Sequence, residues 1–118
     1  PRLPGDDPVN RLPMSSAGAA LLRALLTRAL VKRDRILLTD YRSTDWQSLT
    51  FVGERHELRF RIAGPDAEDI YDRMTGGLAN AEFAIPRQIV ADVVMFGQPT
   101  RERDGSISFG IEALTIEE

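Results

Sequence analysis

The chain has 118 residues, of which 42% are apolar, 28% charged and 7% aromatic, and its 15 Lys+Arg against 18 Asp+Glu give a formal charge of −3. These figures fit one globular domain and exclude a collagen-like, coiled-coil or wholly disordered chain. With no cysteine, disulfides, thiolate catalysis and Cys-ligated metal sites are excluded as well. No run approaches the ~20 unbroken apolar residues of a membrane-spanning helix.

Charges of both signs are interspersed, so nothing draws the chain as a whole to phosphate polymers or anionic membranes. Lys32 is the only lysine, so nearly all fixed cations are arginines. The apolar run from Ala17 to Val31 is interrupted by Arg23 and Arg28 and lacks a basic leader and a terminal A-x-A pattern. It therefore does not read as a signal peptide, and the cytoplasm is the default expectation.

Residues 1–14 hold Pro1, Pro4, Pro8 and Pro13 with Gly5, Asp6, Asp7 and Asn10. Such a composition propagates neither helix nor ladder, so the sequence predicts a flexible N-terminal arm before a single domain over 15–118. Ser15 or Ser16 can cap a helix running to about Arg33. Leu22, Leu25, Leu26, Ala29 and Leu30 share one arc of it, opposite Arg23, Thr27, Arg28 and Lys32.

A strand is expected over Arg35–Tyr41, ending at the polar break Arg42-Ser43-Thr44-Asp45. Two alternating runs follow, Trp46–Val52 and His56–Ile62, joined by a turn at Gly53-Glu54-Arg55. The second run places His56, Leu58, Phe60 and Ile62 inward and Glu57, Arg59 and Arg61 outward. Gly64-Pro65 stops that strand. Asp66 then caps a helix with the stripe Ala67, Ile70, Tyr71, Met74 and Leu78. Gly76-Gly77 marks either its end or a close backbone approach.

Gln88–Pro99 and Ser106–Ile116 form a long hairpin around Arg103-Asp104-Gly105. Pairing Glu102 with Ser106 sets Met95 opposite Ala113, Val93 opposite Thr115, Val94 opposite Leu114 and Phe96 opposite Glu112. The core face then carries Ile89, Ala91, Val93, Met95, Ile107, Phe109 and Ile111. The second face carries Val90, Val94, Phe96, Leu114 and Ile116. The fold class is α+β: a predominantly antiparallel five-stranded sheet with two helices, in the order α-β-β-β-α-β-β, without an internal repeat.

A sheet face in water alternates with polar residues, and the run from Ile89 to Phe96 is apolar on both sides apart from Asp92. Something is therefore expected to cover the second face. Either the helices lie on opposite faces, or both lie on one and a second copy covers the other. Val90, Val94, Phe96, Leu114 and Ile116 are the candidate interface, and a homo-oligomer is the expected partner state.

No motif for chemistry stands out. His56 is the only histidine; as a base it would use Glu54, with Ser48 or Thr50 across the hairpin, but its inward position suits a structural role. His56, Glu54 and Asp45 match no dedicated metal spacing, so neither metal nor cofactor is expected. The glycines from Gly105 to Gly110 sit in a hairpin and do not form a phosphate loop. Arg59, Arg61, Arg101 and Arg103, with Trp46 or Tyr41 for stacking, could form a small nucleic-acid stripe, but Glu54, Glu57, Glu102 and Asp104 interleave with them. The best small-ligand candidate is one sheet end carrying Tyr41, Trp46, Arg55 and His56.

The helix-first order, Asp45-Trp46, the segment Gly53-Glu54-Arg55-His56-Glu57-Leu58 and the closing Asp104-Gly105 turn resemble phage tail-completion domains of the head–tail connector. The resemblance spans most of the chain after residue 15, and it lacks a proline-containing segment before the tryptophan strand. It implies a ring-forming structural subunit. The expected function is thus a non-catalytic interaction module that self-associates through a sheet face, with a ligand-binding domain or minor enzyme, or a tail-type subunit, as alternatives.

Overall fold

A computed structural model describes residues 13–29 and 35–118. Most of the expected N-terminal arm, and the end of the first helix near Arg33, lie outside the described residues. The elements are α1 (Ser16–Ala29), β1 (Ile36–Gln47), β2 (Val52–Ile62), α2 (Ala67–Thr75), a 3-10 turn at Leu78–Asn80, β3 (Gln88–Arg101) and β4 (Ile107–Glu117). They build an α+β domain around one antiparallel sheet of four strands, ordered β1-β2-β4-β3. No helix among the described residues is long and apolar enough to cross a membrane.

The fifth strand expected from the sequence does not exist, because the polar break at residues 42–45 is no break. β1 runs through it, pairing Arg42 with Glu57, Ser43 with His56, Thr44 with Arg55 and Asp45 with Glu54. All four β1 residues are exposed. Alternation vanishes when neither face of an edge strand is buried, and the ladder to β2 supplies the order that the pattern does not show. The turn moves with it, to Ser48–Phe51, closed by the Ser48 amide donating to the Phe51 carbonyl at 2.9 Å. Leu49, expected within a strand, is the fully exposed tip of that turn. Gly53, expected in the turn, sits within β2. A side-chain carbon there would lie 2.0 Å from the Thr115 carbonyl oxygen of β4, so glycine permits the strands to approach.

The hairpin of β3 and β4 turns where the sequence predicts. Glu102 donates its amide to the Ser106 carbonyl at 2.9 Å, Gly105 has φ 87°, and the Asp104 carboxylate accepts from the Ser106 amide at 2.9 Å. Its register differs from the expected one. Phe96 pairs with Gly110 and Thr100 with Ser108, so Gly97, Gln98 and Pro99 bulge out opposite Phe109 alone. Two extra residues shift the pairing by two and preserve the faces. Met95 meets Ile111, Val93 meets Ala113, and Val94 meets Glu112.

A second bulge at Ala91 inserts one residue and reverses the faces before it. Val90 pairs with Thr115 on the helix side and packs against the core, whereas Ile89 pairs with Ile116 on the other side. The expected placements of these two residues are thereby exchanged.

Both helices cover a single face. Gly18 of α1 lies against Tyr41, and Tyr71 of α2 meets the Phe109 ring edge-on at 5.0 Å. Leu21, Leu25, Ile70 and Met74 close with Leu58, Phe60, Ile62, Ile107 and Ile111 into one core. Each such apolar side chain stabilises the fold by roughly 1.5–3 kcal/mol relative to exposure. Ser15 caps α1 by accepting the Gly18 amide at 3.0 Å. Asp66 does not cap α2 through its side chain; its carboxylate is taken by Arg35 instead. The helices end against each other through arginines. Arg28 donates to the Met74 carbonyl at 3.0 Å and to that of Gly76, while Arg73 donates to the Ala29 carbonyl at 2.9 Å. Each cation thus satisfies the free carbonyls at the negative end of its neighbour.

Candidate functional site: a buried histidine network and an open sheet face

His56 is fully buried beneath the N-terminal turn of α1. The Tyr41 hydroxyl lies 2.7 Å from its Nδ1 and the Thr115 hydroxyl 2.8 Å from its Nε2. Ser15 donates to a Glu54 carboxylate oxygen at 2.7 Å, and that oxygen lies 4.0 Å from Nδ1. Burial lowers the pKa of His56, with the Glu54 charge partly opposing it. Burial likewise pushes the Tyr41 phenol up. The ring is therefore neutral, one nitrogen donating and the other accepting, and both are occupied by hydroxyls. Ser48 and Thr50, the expected partners across the hairpin, are at the turn and not beside it. The partners come from β1 and from β4, a strand far away in sequence.

Gly18 belongs to this network. A side-chain carbon at that position would fall 2.2 Å from the Tyr41 hydroxyl oxygen. The glycine lets α1 descend onto the phenol, so the network fixes the height of the helix above the sheet.

The four candidate ligand residues do not converge. Tyr41 and His56 face the helices. Trp46, paired with Gly53, and Arg55, paired with Thr44 and Leu114, stand on the opposite face. Arg55 reaches Glu112 at 3.4 Å. Strand alternation separates His56 from Arg55 by the thickness of the sheet. A groove of about 390 Å³ does open beside α1, lined by Ser16, Ala17, Glu54, Arg87, Gln88, Glu117 and Glu118, and none of the four lines it. Arg87, at φ 65°, holds a left-handed backbone conformation there. Among the described residues no cluster of three or more His, Asp or Glu side chains is placed to hold a metal ion.

Of the arginines weighed for nucleic acid, Arg59 and Arg61 share the outer face of β2, while Arg101 lies beside α2. Arg61 pairs with Asp104 at 2.8 Å. Arg101 makes a two-pronged pair with Glu68 at 2.8 and 2.7 Å. Arg59 lies over the Phe96 ring, 4.9 Å from its centroid.

That last contact belongs to the face away from the helices. Arg59, Gly110 and Phe96 form one row across β2, β4 and β3. Without a side chain at Gly110, the ring lies across β4 and reaches the guanidinium. Val94, Phe96, Leu114 and Ile116 are all half-buried on this face, and part of the cover over Phe96 is the Arg59 guanidinium. Of the expected interface residues only Val90 is elsewhere. No protein-family model, curated protein or solved structure matches the chain.

Proposed function

We propose that the protein is a non-catalytic assembly module that self-associates by stacking the open sheet face on that of a second copy. The observation that carries this reading is that both helices occupy one face, leaving Val94, Phe96, Leu114 and Ile116 with no layer of secondary structure over them among the described residues. Four strands of this length present roughly 700 Å² per copy, close to the ~800 Å² per partner of a standard interface. The composition suits contact, because aromatic residues and arginine are enriched at interfaces and lysine is depleted. Here the cations on strands β1 and β2 are Arg42, Arg55, Arg59 and Arg61, and none of them is a lysine. The His56 network fits the same reading, since both ring nitrogens are engaged by hydroxyls of the neighbouring strands β1 and β4. A ring of copies, as the resemblance to tail-completion domains implies, is one form such an assembly takes.

The test is the mass in solution. Light scattering on the full chain should return a dimer or larger species. Phe96→Glu should yield a folded monomer, because the new carboxylate lies under Arg59 and satisfies it. A wild-type chain that stays monomeric at millimolar concentration overturns the reading.

A further inference from the structure

The two edges of the sheet, β1 and β3, differ in how they are finished. β3 carries bulges at Ala91 and at Gly97–Pro99, and Pro99 offers no N–H, devices that blunt an edge. β1 has one irregularity, at Thr39, and then runs from Asp40 to Gln47 in unbroken register, with no proline, glycine or lysine. Because the Ser48 amide bonds toward β2, alternation turns the backbone groups of Trp46, Thr44 and Arg42 to β2 and those of Gln47, Asp45, Ser43 and Tyr41 outward. Among the described residues these outward groups have no partner strand.

The exposed apolar residues are gathered along this edge. Leu37 is 59% exposed, Leu49 101%, Phe51 51% and Val52 53%; among the described residues, of the large exposed hydrophobic side chains only Ile89 lies elsewhere. Leu37 is at the start of β1, and the other three form the hairpin tip at its end. We infer that β1 pairs antiparallel with β1 of a second copy about a two-fold axis near Thr44, joining two sheets into one of eight strands.

Antiparallel self-pairing is the arrangement that brings each copy's hairpin tip beside the other's strand start. At about 3.4 Å per residue, and with one residue taken up at the Thr39 bulge, Leu37 lies ~20 Å before Thr44 and Leu49 ~17 Å after it. The two therefore meet across the axis. This register sets Arg42 opposite Trp46 of the second copy, a cation over an aromatic face, and Ser43 opposite Asp45 of the second copy. A two-fold centred on Arg42 would stack two guanidinium groups and is disfavoured. The edge contact does not depend on the stacking of open faces, since an eight-stranded sheet leaves that face uncovered.

The chain has no cysteine, so Thr44→Cys introduces a single thiol with its own copy directly across the axis. Under mild oxidation the full-length variant should form a disulfide-linked dimer within minutes, while Glu82→Cys, an exposed thiol on the loop before β3, should remain mostly monomeric. Leu49→Asp changes a side chain that touches nothing in the monomer, and it should reduce the Thr44→Cys crosslinking rate at least tenfold. Adding Phe96→Glu should leave that rate unchanged even if it abolishes face stacking. Crosslinking of Thr44→Cys no faster than Glu82→Cys, or insensitivity to Leu49→Asp, overturns the edge pairing whatever becomes of the open face.

Discussion

The two faces of the sheet hold similar side chains in different company. Phe60 and Phe109 stack at 5.4 Å on the inner face, with Tyr71 and the two helices closing over them. Phe96, on the outer face, has one guanidinium for a lid. The inner face also buries the His56 imidazole and the Tyr41 phenol, with no buried polar side-chain atom among the described residues left without a partner, whereas the charges of the outer face remain partly in water. The difference teaches that, within one copy, the apolar second side of a strand can go without a covering layer of secondary structure among the described residues. Arginine stems and a glycine gap across a neighbouring strand can shelter an aromatic ring well enough to persist on a surface.

The sharpest way to break this comparison is to truncate one aromatic on each face. Phe60→Ala should cost about 3–5 kcal/mol in chemical denaturation, as large-to-small changes in closed cores do. Phe96→Ala, measured below any association threshold, should cost about 1 kcal/mol or less. Equal losses would mean that the outer face is as closed as the inner one.

Next in size is the histidine. His56→Gln leaves at least one of the Tyr41 and Thr115 hydroxyls without its partner and should cost about 1–3 kcal/mol at neutral pH. The pH dependence sharpens the point. His56 titrates lower in the fold than in the unfolded chain, so the unfolded state binds more protons as the solution is acidified. Stability is complete above about pH 6.5 and declines as pH falls below it. The variant should flatten that decline between pH 7 and 5. Asp66 and Glu68 cannot mimic it. Hydrogen bonds from Arg35 and Arg101 hold their carboxyls below the ordinary range, so their contribution persists until pH falls below about 4.5. A wild-type profile that is flat from pH 7 to 5 would remove His56 from the account.

The smallest effect belongs to the lid. Arg59→Ala should change monomer stability by about 1 kcal/mol or less, the scale of an exposed cation–aromatic contact. It should also increase the exposure of Phe96, read as stronger binding of a hydrophobic dye.

Much of the fold was legible. Ser15 before an apolar arc, the strict alternation from His56 to Ile62, and Asp104-Gly105 between two β-rich runs each state a local preference that the tertiary structure does not oppose. The inward position of His56 followed from the same alternation. Its partners did not, because Thr115 is brought to it by the pairing of β2 with β4 across 59 residues of chain. The supposed ligand end failed for a related reason: Tyr41, Trp46, Arg55 and His56 are neighbours along a hairpin, but strand alternation sends them to opposite faces. The exposed tip at Leu49 and Phe51 carried no usable sign, since apolar residues in a two-residue turn read as more strand.

Composition and periodicity, acting through steric preference and burial over a few residues, settled the two helices, the strand character of 56–62 and of the last hairpin, and which side of β2 and β4 meets the core. Contacts between distant segments settled the rest. Polar residues 42–45 became strand because β2 offers them a ladder, and Ile89 and Val90 exchanged faces because the strand had to bulge at Ala91 to stay paired with β4. The helices are held side by side on one face by arginines, each of which satisfies carbonyls at the C-terminal end of the other helix. None of these has a local signature, because each is a free energy between parts of the chain that meet only on folding.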